Sequence, residues 1–286
     1  MNQLTVEEKT QIISALVEGN SIRATCQMTN HSKGAGLKLL VEVGNACVKC
    51  HDERVVNIHS KRVQCDEIWS LCYAKQKNVP AELQGEFGYG DVWTWTTIDA
   101  DAKLCIGWLV GRRDGDSAYL FIKDVADRLG NRIQLTTDGL KAYLEAVEGA
   151  FGCDIDYAML VKLYGTSQEE TRYSPAVCIG TRSEAITVNA DRKHISTSYV
   201  ERQNLTMRMN MRRFTRLTNG FSKKIESHIA MISLYFVYYN FVRFHQTLRG
   251  TPAMEAGIMV SPMSIRDIAV LSEKYLEETK AMVANS

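Results

Sequence analysis

The chain has 286 residues and is 45% hydrophobic, a size that accommodates a large catalytic core and one small module. Its formal net charge of +1 neither favours nor excludes a polyanionic partner, so the distribution of charge has to decide. The longest apolar run is too short to span a bilayer and no secretory signal is visible, so we expect a cytoplasmic protein whose eight cysteines are thiols.

Three helices are predicted within residues 1–60. Apolar side chains recur at helical spacing over residues 6–17, and again over 22–28 and 37–48. Residues 30–34, between the last two, carry Asn, Ser and Gly, which favour a turn. Two helices joined by a short turn are typical of a helix-turn-helix, so we expect a DNA-binding module here. The alternative is a helical hairpin that only supports the next domain.

The DNA contacts of such a module are expected at the turn and at the start of its last helix. The side chains there that suit phosphate contact are those of Ser32, Lys33 and Lys38. Hydroxyl and ammonium groups bind the backbone of DNA without reading its sequence, so these residues would set position rather than specificity.

After residue 62 the pattern changes to that of strands, which are rich in Val, Ile, Thr and aromatic residues. Three strands are predicted in succession, followed by a helix, a strand and a helix. Their predicted bounds are 63–73, 91–99, 103–110, 117–129, 132–137 and 140–151. This order is that of an α/β fold, and we assign it to a domain over residues 61–250.

The remainder of the chain is predicted as a loop-rich insertion followed by helices. Residues 164–194 show little periodicity, and we predict an insertion there, to about residue 195, with a hairpin around 186–188. Two long helices follow over 196–213 and 224–244. Thr251-Pro252 is a cap and first-turn pair that begins a helical tail, residues 251–286.

Asp66 is the first candidate for a functional carboxylate. It lies inside a predicted strand among apolar residues, where an unpaired carboxylate costs several kcal/mol in order of magnitude, so something should neutralise it. Its neighbour Glu67 should point to the opposite face, because strand side chains alternate. Only one of the two is therefore expected to join a given site.

Asp138 and Glu201 are candidates that each have a structural alternative. Asp138 ends a predicted strand, where an α/β sheet presents ligand-binding residues, but it could instead cap the helix beginning at Leu140. Glu201 follows Ser198 by three residues, which fits a capping box. Two strand-borne aspartates and a helix-borne glutamate, in this order on this pattern of elements, indicate a ribonuclease-H-like nuclease.

The residues around these acids carry a resemblance to a known family. Residues 65–69 (CDEIW), 137–143 (TDGLKAY) and 197–204 (TSYVERQN) each resemble a block around the acidic triad of DDE transposases, and the insertion-sequence 1 family is the most similar. Residues 209–219, 239–249 and 251–253 resemble further blocks of that family. The gap between the last two acids, 201 − 138 = 63 residues, is longer than in compact members, and the predicted insertion accounts for it.

The resemblance implies a ribonuclease-H-like mixed sheet, preceded by the small helical module, and a DNA transposase activity. It implies that Asp66, Asp138 and Glu201 are catalytic and hold two Mg²⁺ ions, with Mn²⁺ as a substitute. The activity it implies is nicking at the ends of a mobile element, followed by attack of the freed 3′-hydroxyl on target DNA. Double-stranded DNA and a second copy of the chain, in a homodimer or larger assembly, are the implied partners, and no membrane is.

A local excess of positive charge follows the glutamate. Residues 196–224 contain seven arginines and lysines against one acid, Glu201, an excess of 7 − 1 = +6. We predict that these residues bind DNA: Arg202, Arg208, Arg212, Arg213, Arg216, Lys223 and Lys224. On one long helix Arg208 and Arg212 would share the face of Glu201 and extend it as a cationic stripe. The alternative is a solvated face whose arginines pair with acids elsewhere.

The cysteines allow a further alternative. Cys47 and Cys50 with His51 match the pattern of haem attachment, but that chemistry belongs to exported proteins. Zinc bound by Cys47, Cys50, either His51 or His59, and Cys65 is a second possibility, although the spacing of the second ligand pair is poor. Buried thiols are the default expectation.

Two other functions compete with an active transposase. One is a transposase-derived DNA-binding or scaffold protein that keeps the acids but has lost catalysis. The other is a ribonuclease-H-like nuclease that cuts DNA without strand transfer. Metal-dependent nicking of DNA would exclude the non-catalytic DNA-binding protein. Joined DNA products would exclude the nuclease that cuts without strand transfer.

Overall fold

The computed structural model describes residues 4–165, 177–187, 189–215 and 219–284. At its centre lies a six-stranded sheet. The strands are β1 (Arg62–Cys72), β2 (Gly90–Asp99), β3 (Cys105–Gly111), β4 (Gln134–Thr137), β5 (Asp156–Gly165) and β6 (Val177–Ala185). They lie in the order β3-β2-β1-β4-β5-β6.

The pairing of these strands defines the fold class. β1 pairs antiparallel with β2, β2 antiparallel with β3, and β1 parallel with β4, which in turn is parallel to β5. β6 pairs antiparallel with β5 at the edge. An antiparallel meander joined to parallel strands through its first member is a ribonuclease-H-like arrangement. The predicted mixed α/β fold class is thereby confirmed.

Helices cover both faces of this sheet. The α-helices are α1 (Val6–Val17), α2 (Ile22–Met28), α3 (Lys33–Arg54), α4 (Gly115–Arg128), α5 (Ala142–Phe151), α6 (Ser198–Asn210), α7 (Ile225–Val237), α8 (Pro252–Glu255) and α9 (Ile265–Ala284). α4 packs on α5 and on β3, whereas α6 packs on β1 and β2. No helix in the described ranges combines the length and apolar composition needed to cross a membrane.

The first helices begin where their capping residues lie. Thr5 forms a capping box with Glu8, and the Ser21 hydroxyl accepts a hydrogen bond from the Ala24 backbone NH, so α1 and α2 have their predicted bounds. Ser32 caps α3 in the same way, its hydroxyl accepting from the Ala35 backbone NH at 3.1 Å. α3 therefore begins four residues earlier than predicted.

The prediction of a loop-rich insertion was wrong in part. Residues 177–185 form β6, which pairs with β5 from Ala158 opposite Ala185 to Gly165 opposite Val177. β6 is an edge strand with exposed side chains such as Arg182 and Glu184, so it lacks the apolar alternation that would have marked it. Val188 of the predicted hairpin and residues 166–176 lie outside the described residues.

The long helices are shorter than predicted. α6 ends at Asn210 because Met211 turns its side chain into the core and takes an extended backbone conformation. Arg212 and Arg213 follow in a 3₁₀ turn and so leave the face of α6 that carries Glu201. α7 ends at Val237 and continues as one turn of π-helix, Tyr238–Val242.

The N-terminal helices share a core with helices from the C-terminal half. α3 packs on both α7 and α9, and α1 packs on α9, where the buried Lys9 ammonium pairs with Glu273 at 3.0 Å. α7 in turn contacts the sheet, since the ring of Phe236 stacks on that of Trp108 in β3. The helix-turn-helix role of residues 1–60 stays a prediction.

Gly44 allows the closest approach between α3 and α7. A Cβ at this position would lie 2.4 Å from both the Cα and the Cβ of Ala230. We expect Gly44→Ala to lower the free energy of unfolding by about 2 kcal/mol, because two rigid helices would have to separate. Urea denaturation measures the effect.

Gly34 is the matched control for this substitution. It lies in the first turn of the same helix, and its nearest neighbour would be the Ser32 hydroxyl at 3.9 Å. Gly34→Ala should therefore stabilise the protein slightly, by roughly 0.5 kcal/mol, through helix propensity. An equal loss of stability in both variants would show that the helix contact is not tight.

Candidate active site

Asp66 lies in β1 and turns its carboxylate towards α6. Its Oδ2 accepts a hydrogen bond from the Asn204 side-chain NH₂ at 2.8 Å, and its Oδ1 accepts from the Glu67 backbone NH at 2.8 Å. The Thr96 hydroxyl lies 3.3 Å from the Asn204 side-chain oxygen and orients that amide. The carboxylate is therefore held in place by neutral donors, with no cation within ion-pair distance among the described residues.

Asp138 lies directly after β4, at the carboxyl end of the parallel strands. Its Oδ1 accepts a hydrogen bond from the Leu140 backbone NH at 3.0 Å. This bond closes a local turn, whereas α5 begins later, after Lys141. The alternative role of Asp138 as the N-cap of this helix is therefore wrong, because Lys141 holds that position. The other carboxylate oxygen, Oδ2, lies 3.9 Å from the Arg113 guanidinium, in the cavity.

Glu201 lies in the first turn of α6 and does not form the capping box that its spacing from Ser198 allows. The residue at the N-cap is Thr197, which makes no side-chain cap hydrogen bond to the backbone. Its hydroxyl donates instead to Glu201 Oε1. The other oxygen, Oε2, pairs with the Lys162 ammonium of β5 at 2.5 Å. The carboxylate thus faces β5 and the cavity.

One cavity of about 620 Å³ brings the three predicted carboxylates together. Asp66, Asp138 and Glu201 all line it, and they come from β1, from the end of β4 and from α6. The cations that share this cavity are Arg113, Lys141 and Lys162. The site is therefore a cluster of carboxylates with basic residues at its edge.

Glu67 belongs to the acidic cluster, contrary to the expectation that strand alternation would exclude it. One carboxylate oxygen each from Asp66, Glu67 and Asp138 lies within 4.8 Å of the others. Side-chain alternation does place Asp66 and Glu67 on opposite faces of β1. Asp138, however, lies beyond the end of β4, where its carboxylate is near both of them. The side chain of Glu67 is 1% exposed and is bound by Arg113 at 2.6 Å.

The environment raises the pKa of these carboxyl groups. Burial, followed by the charges of Asp138 and Glu67, raises the pKa of Asp66 to about 7. Burial is also the main cause that raises the pKa of Glu67 and of Asp138. A divalent cation would remove this penalty, and an all-oxygen ligand set suits a hard ion such as Mg²⁺ or Mn²⁺. The residues present therefore fit the metal that the resemblance implies.

Three residues of the site were missed by the sequence reasoning. Asn204 lies one helical turn beyond Glu201, and that spacing could have suggested it. Lys162 lies on β5, which was not predicted as a strand. Arg113 follows β3, and its guanidinium lies 4.7 Å from the Trp93 ring, which holds it over Glu67. No local pattern marks the last two residues.

The predicted DNA contacts on and after α6 occupy different surfaces. Arg202 is exposed and Arg208 half-buried on α6, whereas Arg212 is exposed in the 3₁₀ turn. Arg213 is partly buried and donates to the Ser227 carbonyl, and burial lowers its pKa to about 10. Arg216 lies outside the described residues. The predicted continuous stripe is therefore interrupted at the end of α6.

The remaining predicted contacts flank α7 and α3. Lys223 and Lys224 are exposed just before α7. Lys33 and Lys38 are exposed on α3, where Lys38 pairs with Glu42 at 3.7 Å, and the Ser32 hydroxyl is committed to its helix cap.

The cysteines do not assemble a metal site within the described ranges. Cys47 and Cys50 are buried, and burial raises the pKa of both thiols. The Cys50 sulfur accepts a hydrogen bond from Arg54 at 3.0 Å. The one group of three potential ligands found among the described residues is the acidic cluster. Buried thiols, the default expectation, describe these residues.

Comparisons with known proteins found no matching family model. No curated protein matches the sequence either. Among the solved structures that match are two transposase complexes. A piggyBac transposase synaptic complex with hairpin DNA shares 11% identity, covering 98% of this chain and 74% of that chain with a TM-score of 0.43. A pre-cleavage Mos1 transpososome shares 9% identity, covering 55% of this chain and 60% of that chain with a TM-score of 0.22. At this distance the two structures say nothing about the activity of the chain.

Proposed function

We propose that the chain is a DDE-type DNA transposase, similar to the insertion-sequence 1 family. It would nick the ends of a mobile element and join the freed 3′-hydroxyl ends to target DNA. The observation that carries the proposal is the convergence of Asp66, Asp138 and Glu201 in one cavity, where burial and mutual repulsion raise the pKa of the two aspartates. Carboxylates so destabilised favour the binding of cations.

In this proposal the three carboxylates hold two Mg²⁺ ions, for which Mn²⁺ can substitute. When bound, such a pair activates the attacking oxygen and stabilises the leaving oxygen of an in-line displacement at phosphorus. The protein itself contributes position. Asn204 fixes one oxygen of Asp66 by its 2.8 Å hydrogen bond and leaves the carboxylate no freedom to rotate away from the cavity.

Arg113 has a separate role in keeping the acidic cluster together. Its guanidinium forms an ion pair with Glu67 Oε1, with a hydrogen bond from Nε at 2.7 Å and Nη2 at 2.6 Å from the same oxygen, and so neutralises the most buried carboxylate of the cluster. Tyr143 donates a further hydrogen bond to Glu67 at 3.2 Å. Glu67 is thereby satisfied by protein, which leaves Asp66 and Asp138 as the acids available to a metal.

DNA binding, assembly and compartment complete the proposal. Arg202 and Arg208 on α6 would hold double-stranded element ends and target DNA, and the predicted residues on α3 and before α7 would contact the same DNA molecules, in a cytoplasmic homodimer or larger assembly. Residues 1–60 would act as the helix-turn-helix-like module, 61–250 as the catalytic domain and 251–286 as its helical tail.

The second candidate is a transposase-derived DNA-binding protein without catalysis. One contact favours it: both oxygens of Glu201 are already engaged, by Lys162 at 2.5 Å and by the Thr197 hydroxyl. In an active enzyme Glu201 has to exchange the Lys162 ammonium for a metal. If that exchange does not occur, the chain binds DNA but does not cut it.

The deciding experiment mixes the protein with Mg²⁺ and DNA carrying the inverted repeats that flank its own coding sequence. An active transposase should give nicks at the repeat ends and joined products with a target plasmid, and EDTA should abolish both. Nicks without joined products would instead identify a nuclease. Specific binding with neither product would support the non-catalytic alternative, and Lys162→Met would then test whether the ion pair is the cause.

A further inference from the structure

A groove of about 330 Å³ lies away from the acidic cavity, between the start of α2 and α3 on one side and residues 211–213 and 219–224 on the other. Two parts of the chain that are remote in sequence form its walls. The end of α1 touches the end of α6 beside it: a Cβ on Gly19 would lie 3.1 Å from the Asn210 carbonyl oxygen. The two walls are thus held at a defined separation.

The groove, which we call the basic groove, concentrates positive charge. Its basic residues are Arg23, Lys33, Arg212, Arg213, Lys223 and Lys224. No carboxylate is among the described residues that line it. Because the whole chain is nearly neutral, a surface with six cations and no acid is specific to this place and favours a polyanion.

Among the cations of the basic groove, Arg213 is partly buried and lacks a carboxylate partner among the described residues. Its guanidinium donates to the Ser227 carbonyl, and burial lowers its pKa to about 10. No carboxylate of the described residues lies within ion-pair distance of it. A partly desolvated cation without a counter-ion is costly, and an anion that enters the basic groove would remove that cost.

The wall that carries Lys223 and Lys224 is rigid. The Ser222 carbonyl accepts a hydrogen bond at 2.8 Å from the backbone NH of Tyr73, just after β1. The buried imidazole of His228 lies between the Ser222 hydroxyl at 3.2 Å and the Ser70 hydroxyl at 3.1 Å. The backbone before α7 is therefore anchored to the central sheet, so its cations are positioned before a ligand arrives.

The floor of the basic groove is apolar. It consists of Leu16, Ile22, Leu37, Met211, Phe221 and Met231. The Lys223 ammonium lies 3.9 Å from the centre of the Phe221 ring, at the boundary between floor and rim. A duplex backbone is polar and too wide to enter a space of this size, whereas an unpaired nucleotide offers a flat apolar base for the floor and a phosphate for the rim.

We propose that the basic groove binds a single-stranded segment of the DNA on which the protein acts, an inference that rests on the proposed function. The phosphates lie along the lysines and arginines of the rim, and one base lies over the apolar floor. Cationic grooves with an apolar or aromatic surface are the usual means of binding single strands without sequence preference. The N-terminal helices and the segment before α7 thus contribute to one site.

Binding of fluorescent oligonucleotides in EDTA tests this inference without any cleavage. The full-length protein is titrated with a plain duplex and with the same duplex carrying a short single-stranded tail. Lys33→Ala and Lys224→Ala should each weaken binding of the tailed DNA by about fivefold and lower its salt dependence by about 0.7 per lysine, the value for single strands. Plain duplex binding should change less than twofold.

Lys274→Ala is the matched control, because Lys274 is an exposed helical lysine on α9, outside the basic groove and not among the residues predicted to bind DNA. It should leave both probes unchanged. A tail containing 5-iododeoxyuridine should crosslink on irradiation to Phe221, and this readout needs no variant that could misfold. Crosslinking elsewhere, with none at Phe221, would overturn the inference.

Two other outcomes also overturn it. Equal weakening of duplex and tailed DNA by the lysine variants would make the basic groove an ordinary duplex contact. If the lysine variants lost the ability to bind a fluorescent glutamate-rich peptide while their DNA binding was unaffected, the occupant of the basic groove would be an acidic protein segment. If the basic groove discriminates as expected but no strand transfer is found, the proposed function fails while this site stands.

Discussion

Asp66→Asn is expected to abolish metal-dependent DNA cleavage, lowering its rate by about a thousandfold or more while DNA binding in EDTA is retained. Asparagine keeps the volume of the side chain and its one oxygen can accept from Asn204, although its NH₂ group cannot accept the second hydrogen bond from the Glu67 backbone NH. A loss of this size exceeds that of one hydrogen bond and reflects removal of the charged ligand. A thousandfold corresponds to about 4 kcal/mol of transition-state stabilisation, which is in the range expected for a group that holds a catalytic metal.

Three further substitutions show whether the effect belongs to the triad. Asp138→Asn and Glu201→Gln should cause losses of similar size, whereas Asp116→Asn, an exposed acid in the first turn of α4, should cause none. The measurement is single-turnover nicking of a radiolabelled element end in Mg²⁺. Cleavage by Asp66→Asn at the wild-type rate would refute the assignment of this carboxylate.

In the absence of metal, the contribution of Asp66 to the free energy of unfolding should fall as pH rises from about 4 to about 7. The pKa of Asp66 is about 7 in the folded protein against 3.8 for the unfolded chain, so the folded state holds the proton more tightly. The stabilisation of the folded state by this proton is therefore complete below pH 4 and is lost as pH rises through 7. The change is on the order of 4 kcal/mol for this one group.

Glu67 and Asp138 act in the same direction, since burial raises the pKa of both. His228 and His245 act in the opposite direction. Their pKa values are lowered to about 3 and about 4, so the stability they contribute is lost as pH falls below 6.5. The pH dependence of the wild type is a sum of both effects, and a variant is needed to separate them.

Asp66→Asn provides that separation, because asparagine does not titrate. In EDTA the variant should be more stable than the wild type at pH 7.5 and nearly equal to it at pH 4, as measured by urea denaturation. Mg²⁺ should stabilise the wild type at pH 7.5 and leave the variant almost unchanged. A difference between the two proteins that does not vary with pH would contradict the raised pKa of Asp66.

The elements with a clear local pattern could be predicted from sequence alone. The bounds of α1 and α2 follow from their capping residues, and β1 and β2 from their β-branched and aromatic side chains. β6 could not be predicted, because an exposed edge strand has no apolar alternation. The end of α6 was also missed, since only the burial of Met211 in the tertiary structure explains it.

The acidic site shows the same division. Asp66 stood out as a carboxylate inside an apolar strand, whereas Asp138 and Glu201 were each better explained as capping residues until their order on the fold was considered. The alternation of side chains along β1 led us to exclude Glu67. That rule is correct within one strand, but Glu67 belongs to the cluster because Asp138 lies beyond the end of β4. Local periodicity does not report on such contacts.

By itself the sequence predicted the class of fold, the three candidate carboxylates and the excess of positive charge after Glu201, because these depend on residue types, local periodicity and the order of elements along the chain. The tertiary structure alone decided which partners those residues have. Lys162 reaches Glu201, Arg113 reaches Glu67, and Lys33 and Lys224 line the same groove. These pairs are separated by many residues in the chain, so only the packing of strands and helices brings them together.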